Sequence, residues 1–391
     1  MPTLHEVIED FKSRENATSL YLADVDFSDP ENVSVFPELV ELIKASASIT
    51  NISFIRTNLW KQSFKIVQPI FEAIRDKKSP LEVDLSCNHL GNVPELFVNV
   101  FACLISSPSK VCSLRLIDNE LFKCEREIER LYARLDTAPF LKELYLESNR
   151  LGELSAQSLR YLAAIILKFN NLILLNLGNN ALGSNAAILG FVEEIITRMQ
   201  IKQLDFSANL KDVASDTIVE CLALLVNSRS IATLDLSFNV LYRIGVEKLG
   251  DFFDQVLSNK QLMKLDLTAN DFSSFEDVLK TRFIEVIAFF IQRATGQNME
   301  VTYEKYNFDL EEGQQISKLS KVSSSFWREM ARVMQPESPS ERAVEQAFQL
   351  LRADETIKRF IVNPDNLRSF MSMLGEKFRS ACEREGMSLK S

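Results

Sequence analysis

Cysteine and histidine, the residue types that most often serve as nucleophiles, bases or metal ligands, are scattered through this sequence. It holds six cysteines and two histidines. No pair of cysteines has the C-x-x-C spacing, and Cys382 has no histidine near it in sequence. A zinc site needs clustered thiolate or imidazole ligands, and a thiol nucleophile needs a neighbouring base. We therefore predict that the protein is not an enzyme, and that it uses no cofactor and no metal.

Motifs of other enzyme classes are missing as well. The sequence has no G-x-x-x-x-G-K-[ST], no G-x-S-x-G and no H-E-x-x-H, and no apolar run is long enough for a membrane span. The net charge of −10 argues against nucleic acid as the main partner, because phosphate binding needs clustered Lys and Arg. It permits a protein partner with a basic surface. Scattered free thiols suit a reducing compartment, so we expect a cytoplasmic location.

One polar residue type does recur at a fixed spacing, and it follows a short apolar segment. Segment 141–151 has the pattern L-x-x-L-x-L-x-x-N-x-L, and segment 231–241 has the same pattern with Ile231 at the first position. An inward-pointing amide both donates and accepts hydrogen bonds, so it can pair buried backbone groups of successive turns. We predict a structural ladder, not a catalytic set, of asparagines that are 29 to 31 residues apart: Asn88, Asn119, Asn149, Asn180, Asn209, Asn239 and Asn270.

This pattern resembles the leucine-rich repeat. Earlier repeats are expected with Val25 and Thr57 at the asparagine position, and a degenerate strand is expected at Val301. A strand followed by a full helix is similar to the ribonuclease-inhibitor type. The resemblance implies an α/β leucine-rich repeat solenoid of about nine repeats over residues 1–308. In such a horseshoe the parallel sheet lies on the concave face and the helices lie on the convex face.

Two elements must position each asparagine. The L-x-L segment alternates like a half-buried strand, whereas residues 155–169 place apolar side chains on one face of a helix. Leu-Gly follows the asparagine at 90–91, 151–152 and 182–183, where glycine would relax the turn into the helix. After Asn209 the expected leucine is Lys211, so we expect a local irregularity in that repeat.

Strand residues two, four and six places before each asparagine point away from the leucines and form the wall of the concave face. Acidic residues outnumber basic ones there, which predicts an acidic wall. We take Tyr145 and Arg115 as the first anchors, because Tyr and Arg are favoured in binding sites. Two alternatives stay open: the aspartates belong to the repeat pattern, and the apolar residues are ordinary surface. The candidate partner-binding residues are Tyr21, Ile55, Asp84, Arg115, Ile117, Glu143, Tyr145, Glu147, Asp205, Asp235 and Asp266.

The repeat stops near residue 308. Apolar spacing and a capping box at Ser338 predict a small all-helical C-terminal unit over 309–391. It either caps the solenoid or forms a separate domain that packs on the last repeats.

The resemblance implies a non-enzymatic protein–protein interaction scaffold that binds a protein partner on its concave face. Acidic residues near Cys382 resemble the tails of effectors that intracellular bacteria inject, which implies the host cytosol. One alternative is a regulator of a small GTPase, similar to the leucine-rich GTPase-activating protein for Ran. Another is an enzyme that resembles bacterial ubiquitin-ligase effectors, with Cys382 as its nucleophile. The sequence leaves open the partner, the source organism and the oligomeric state.

Overall fold

The structure is a computed structural model that describes residues 2–135, 139–275 and 286–303 apart from 288 and 292. A first compact unit ends at Asn239, and a second begins at Val240. The expected helical unit at 309–391, including Cys382, lies outside the described residues. The expected boundary near residue 308 lies there as well, so it stays a prediction.

The first unit is built on a parallel sheet in which each strand pairs with the next one along the chain. Residues at equal repeat positions are partners, as in the pairs Leu114–Leu144 and Leu144–Leu175. The register therefore stacks the leucines of successive repeats. The strands of the first unit are β1 Ser19–Tyr21, β2 Asn51–Ser53, β3 Leu81–Asp84, β4 Val111–Arg115, β5 Glu143–Tyr145, β6 Leu174–Asn176, β7 Gln203–Asp205 and β8 Thr233–Asp235.

A helix follows or precedes each of these strands. Leu159, Ala163 and Ile166 are fully buried on the inner face of the helix predicted over 155–169, which confirms that helix. Within the described residues, no helix has the length and apolar character needed to cross a bilayer. The helices of the first unit are α1 Leu4–Ser13, α2 Pro30–Ser34, α3 Phe36–Ala45, α4 Phe64–Arg75, α5 Pro94–Ile105, α6 Glu125–Arg134, α7 Ala156–Ile166, α8 Ile188–Arg198 and α9 Ser215–Val226.

The described part of the second unit continues the same alternation. It contains α10 Val246–Ser258, β9 Lys264–Asp266 and β10 Glu300–Thr302, and the two strands pair in parallel. The predicted strand at Val301 is therefore confirmed. An ion pair of 2.9 Å between Lys264 Nζ and Glu300 Oε1 links neighbouring strands on their exposed side.

The predicted asparagine ladder is present, and Asn149 shows how it works. Its side chain is fully buried. Its Oδ1 accepts from the backbone N–H groups of Asn119 and Leu121 at 3.0 and 3.3 Å. Its Nδ2 donates to the carbonyls of Leu116 and Leu146 at 2.8 and 2.9 Å. One amide thus pairs backbone groups of two repeats, and the seven predicted asparagines are at most 1% exposed.

The turn around the asparagine has a left-handed residue on each side. In the repeat of Asn149 these are Ser148 and Arg150, with φ of 60° and 56°. The predicted irregularity at Asn209 is confirmed in this turn. Ala208 is left-handed, but the residue after Asn209 is Leu210, which is fully buried and donates its N–H to Asn239 Oδ1 at 2.8 Å. Leu210 therefore takes the role that the residue two places after the asparagine has in other repeats.

The glycines after Leu90, Leu151 and Leu182 have a different role from the predicted one. None of them adopts a left-handed conformation that would require glycine for the turn. Instead the next repeat lies against them, since a Cβ on Gly91 or Gly152 would come within 2.0 Å of a backbone carbonyl oxygen. Where Phe122 fills the equivalent position, its N–H bond to Asn149 O lengthens to 3.3 Å, from 2.9 Å at Gly152. Glycine therefore allows close stacking of repeats.

Candidate protein-binding face

We call the side of the sheet that carries residues two, four and six places before each asparagine the strand face. In the first unit, the predicted residues Tyr21, Ile55, Asp84, Arg115, Ile117, Glu143, Tyr145, Glu147, Asp205 and Asp235 lie there, and Asp266 occupies the same place in β9. Tyr21 is 58% exposed, and the others are half-buried. Their packing differs along the face, so they do not form one uniform site.

Arg115 and Tyr145, the two predicted anchors, contact each other. They are register partners on β4 and β5, and the Arg115 guanidinium lies 4.0 Å from the centroid of the Tyr145 ring. Glu143 Oε2 accepts from Tyr145 Oη at 3.2 Å and from Ser113 Oγ at 3.0 Å. Four side chains from two strands therefore hold one another in place, and this cluster is called the Arg115–Tyr145 cluster below.

The Arg115–Tyr145 cluster leaves the N–H donors of the Arg115 guanidinium able to bind a ligand. Burial raises the pKa of Tyr145, and its phenol donates to Glu143. Among the residues that the structure describes, Arg115 forms no ion pair, and its planar guanidinium can offer its N–H donors to a ligand. A guanidinium stacked on an aromatic ring has lost much of its rotamer freedom before binding, which lowers the entropy cost of contact.

The aspartates of the strand face have a local structural role. Oδ1 of Asp84, Asp205 and Asp235 accepts from the backbone N–H two residues later, at 2.8 to 2.9 Å. Asp266 makes the same bond in the second unit. In the sixth strand Asn176 replaces the aspartate and accepts from the N–H of Gly178 at 2.8 Å. These side chains close the turn at the end of these five strands, so the repeat pattern alone explains their presence.

This role predicts opposite outcomes for two substitutions at Asp205. Asp205→Asn keeps an acceptor oxygen, as Asn176 shows, and should change the free energy of unfolding by less than about 0.5 kcal/mol. Asp205→Ala leaves the N–H of Ser207 without its partner and should destabilise the protein by about 1 kcal/mol. Chemical denaturation of both variants measures the difference, and equal stability of the two would contradict the role.

The strand face of the first unit still carries a clear charge imbalance. Its acids are Glu82, Asp84, Glu143, Glu147, Asp205 and Asp235, and its base is Arg115. Hydrogen bonds from Asn51 to Glu82 and from Asn176 to Glu147, both of 3.3 Å, cross between strands and use single carboxylate oxygens. Carboxylate oxygens therefore remain at the surface, where a basic group can approach them.

The residues that could bind a metal or act as nucleophiles are already engaged in, or buried by, the fold. Among the described residues, His5, Glu9 and Glu38 bring three ligand atoms together, a juxtaposition that sequence spacing did not reveal. The Lys12 ammonium lies there already, 2.9 Å from Glu9 and 2.6 Å from Glu38. The thiols of Cys124 and Cys221 are buried, and burial raises the pKa of each to about 12. Such thiols are poor nucleophiles.

A polar cavity of about 510 Å³ opens at the turns of the first unit, beside the irregular repeat at Asn209. Asp118, Arg150, Glu153, Lys211 and Asp212 line it. Arg150 is ion-paired with Glu153 at 2.5 Å and rests on the Phe122 ring at 4.4 Å, so its charge is already used within the fold.

Comparison with known proteins identifies the architecture. No family model and no curated protein matches the sequence. Among solved structures, the leucine-rich repeat-containing protein LegL7 from Legionella pneumophila is similar, with a TM-score of 0.55 and 20% identity. The match covers 81% of this chain and 95% of LegL7. Together with the parallel strands, alternating helices and buried asparagine ladder, this similarity shows that the chain has the leucine-rich repeat fold.

Proposed function

We propose that this protein is a non-enzymatic scaffold whose strand face binds a protein partner. The observation that carries the proposal is the Arg115–Tyr145 cluster. Tyr and Arg dominate the energy of protein interfaces, and here they are pre-positioned by Glu143 and Ser113 on a face with half-buried apolar neighbours such as Ile117. Leucine-rich repeat proteins present extended surfaces of this kind to macromolecular partners.

The acidic surroundings suggest the chemistry of that partner. Acids flank Arg115 on both sides, from Glu82 and Asp84 on β3 to Glu143 and Glu147 on and after β5. A partner with a basic surface gains favourable charge interactions there, which raise the association rate and select against acidic proteins. We propose such a basic partner, with a carboxylate or carbonyl of its own reaching Arg115.

The proposed setting is the cytosol of a host cell, where the protein acts as a secreted bacterial effector. Support comes from the fold that the chain shares with a Legionella protein and from free, scattered cysteines. A translocation reporter fused to the full chain tests this location. We expect a reporter signal in the host cytosol that is lost when the bacterial secretion system is inactivated, and a signal that persists without that system would contradict the proposal.

Affinity capture from host-cell lysate with the full chain tests the binding face. The double variant Arg115→Ala/Tyr145→Ala removes both anchors and should reduce recovery of the true partner by about tenfold or more. The matched control is Arg126→Ala/Tyr132→Ala on α6, which removes the same two residue types from the helix side. Recovery of the same proteins by all three chains would contradict the strand-face assignment.

A second variant separates the charge of the strand-face aspartates from their role in closing the turns. Asp84→Asn/Asp205→Asn/Asp235→Asn removes three charges and keeps the acceptor that closes each turn. Weaker capture by this variant, with a smaller salt dependence, supports a basic partner. Unchanged capture together with loss in the Arg115→Ala/Tyr145→Ala variant would keep the face and contradict the basic partner.

A further inference from the structure

From β3 to β8, the connections that lead from a helix into the next strand carry an excess of bases, opposite in sign to the net charge of the chain. The two earlier connections differ: 14–18 holds Arg14, which is ion-paired with Asp10, together with Glu15, and 46–50 holds no charged residue. From β3 to β8 they span 76–80, 106–110, 135–142, 167–173, 199–202 and 227–232. Each of the six contains a lysine or an arginine. Their sequence holds two acids: Asp76, which is paired with Arg75 at 2.8 Å, and Asp136, which lies outside the described residues. In a chain of net charge −10, this concentration of bases is a local reversal of sign.

These connections share one edge of the sheet, where the strands begin. Ile173 N–H donates to Lys142 O at 2.7 Å, and Lys202 N–H donates to Ile173 O at 2.8 Å. Ala232 N–H donates in turn to Lys202 O at 2.8 Å. Residues from successive repeats are therefore neighbours in one row, at the roughly 4.8 Å spacing of adjacent strands. The row places cationic side chains along a line rather than around a pocket.

The fold itself accounts for only part of this charge. Lys77 Nζ donates to the carbonyls of Ile43 and Ser46, and Lys168 Nζ donates to those of Tyr132 and Leu135. Each lysine caps the C-terminal end of a helix in the preceding repeat, α3 for Lys77 and α6 for Lys168. Other bases on the edge are not used in this way. In the part of the chain that the structure describes, no ion pair or hydrogen bond involves the side chains of Lys110, Lys142, Lys202 or Arg229.

Exposed apolar side chains lie among these bases. Phe140 is 40% exposed and Ile173 is 44% exposed. Lys110 Nζ lies 3.5 Å from the centroid of the Phe140 ring, so the charge and the aromatic group are in contact. Lysines interleaved with exposed aromatic and aliphatic groups are typical of surfaces that enter the headgroup region of a membrane.

We propose that this edge binds the surface of a bilayer that contains anionic lipids. We call Lys110, Phe140, Lys142, Ile173, Lys202 and Arg229 the basic edge. A row of bases along one sheet edge matches an extended, negatively charged surface, and each lysine near such a surface contributes to binding. Lysine is depleted and arginine enriched in protein interfaces, whereas three of the four bases here are lysines, which favours lipid over an acidic protein. Phe140 and Ile173 would add contact with the acyl boundary.

Flotation of the full chain with vesicles tests the proposal. We expect it to float with phosphatidylcholine vesicles that contain phosphatidylserine, to remain unbound with phosphatidylcholine alone, and to dissociate as salt is raised. Lys110→Glu/Lys142→Glu/Lys202→Glu should lower the bound fraction by at least about tenfold. The matched control Lys65→Glu/Arg126→Glu/Arg160→Glu makes the same change in net charge at exposed helix positions and should bind like the unaltered chain.

A third variant tests the apolar part of the edge. Phe140→Ser/Ile173→Ser should weaken vesicle binding by about tenfold while its salt dependence stays, since the lysines remain. Circular dichroism confirms that each variant is folded. Absence of flotation with phosphatidylserine, or equal loss in the edge and control triples, would overturn the proposal. Binding of soluble poly-glutamate without binding of vesicles would overturn it in favour of an acidic protein segment.

Discussion

Asn149→Leu is expected to destabilise the protein by about 4 kcal/mol, one of the largest effects available to a single substitution in this fold. The leucine has a similar volume but no polar atoms. It would leave the N–H groups of Asn119 and Leu121 and the carbonyl of Leu116 without their partner, whereas the carbonyl of Leu146 would keep its bond from Asn180 Nδ2. Each of these groups is buried at the turn, where water cannot replace the amide. The free energy of unfolding, measured in urea, gives the result.

Asn170→Leu is the matched control for that substitution. Asn170 is exposed in the connection before β6. The same chemical change there should alter stability by less than about 0.5 kcal/mol. If Asn149→Leu cost no more than this control, the ladder would contribute little, and the leucine core alone would hold the repeats together.

The second large effect is expected for Gly152→Ala, at about 3 kcal/mol of destabilisation. The added Cβ would lie 2.0 Å from Ala181 O and 2.5 Å from Ala181 C, both of which are backbone atoms of the next repeat. Relief requires separation of the two repeats, and separation would stretch the 2.9 Å bond from Gly152 N–H to Asn180 O. Thermal and chemical unfolding of the purified variant measure the loss.

Gly190→Ala provides the control. Gly190 lies in α8, and a Cβ there would meet nothing within 4 Å. Alanine favours a helix over glycine by nearly 1 kcal/mol, so this variant should be at least as stable as the original chain. Two glycine-to-alanine changes with effects of opposite sign would establish that close stacking, and not turn flexibility, selects Gly152. If Gly152→Ala were as stable as the original chain, this explanation would be wrong.

The repeat pattern allowed much of the fold to be predicted, because a buried asparagine in a fixed register leaves few structural alternatives. The strands, the helices after the asparagines and the disturbance near Lys211 follow from it. The reason for glycine at 152 did not follow, since the neighbour that requires it is 29 residues away, at Ala181. The local conformation of a residue can be predicted from its neighbours in sequence, whereas its contact with the next repeat cannot.

The candidate sites show the same division. Arg115 and Tyr145 were predicted as separate anchors, but their contact depends on strand register and side-chain direction. Asp205 was assigned either to binding or to the repeat, and its bond to the N–H of Ser207 supports the repeat. The basic edge was missed, although its signal was in the sequence: bases recur before the strands from β3 to β8, and the connections there hold only two acids. The role in GTPase regulation stays a prediction, which GTP hydrolysis assays across a panel of small GTPases would test.

Shortened versions of this protein should behave differently according to the end that is trimmed. Each ladder asparagine accepts from N–H groups of the repeat before it, as Asn180 Oδ1 does from Asn149 and Leu151. Deleting early repeats leaves a spare acceptor, which solvent can satisfy. Deleting late repeats leaves N–H donors without the amide that accepts from them, and orphaned N–H groups are rarer in proteins than under-satisfied oxygen acceptors. A truncation after the Asn180 repeat would strand the N–H groups of Asn180 and Leu182, so designs that end there need a substitute cap.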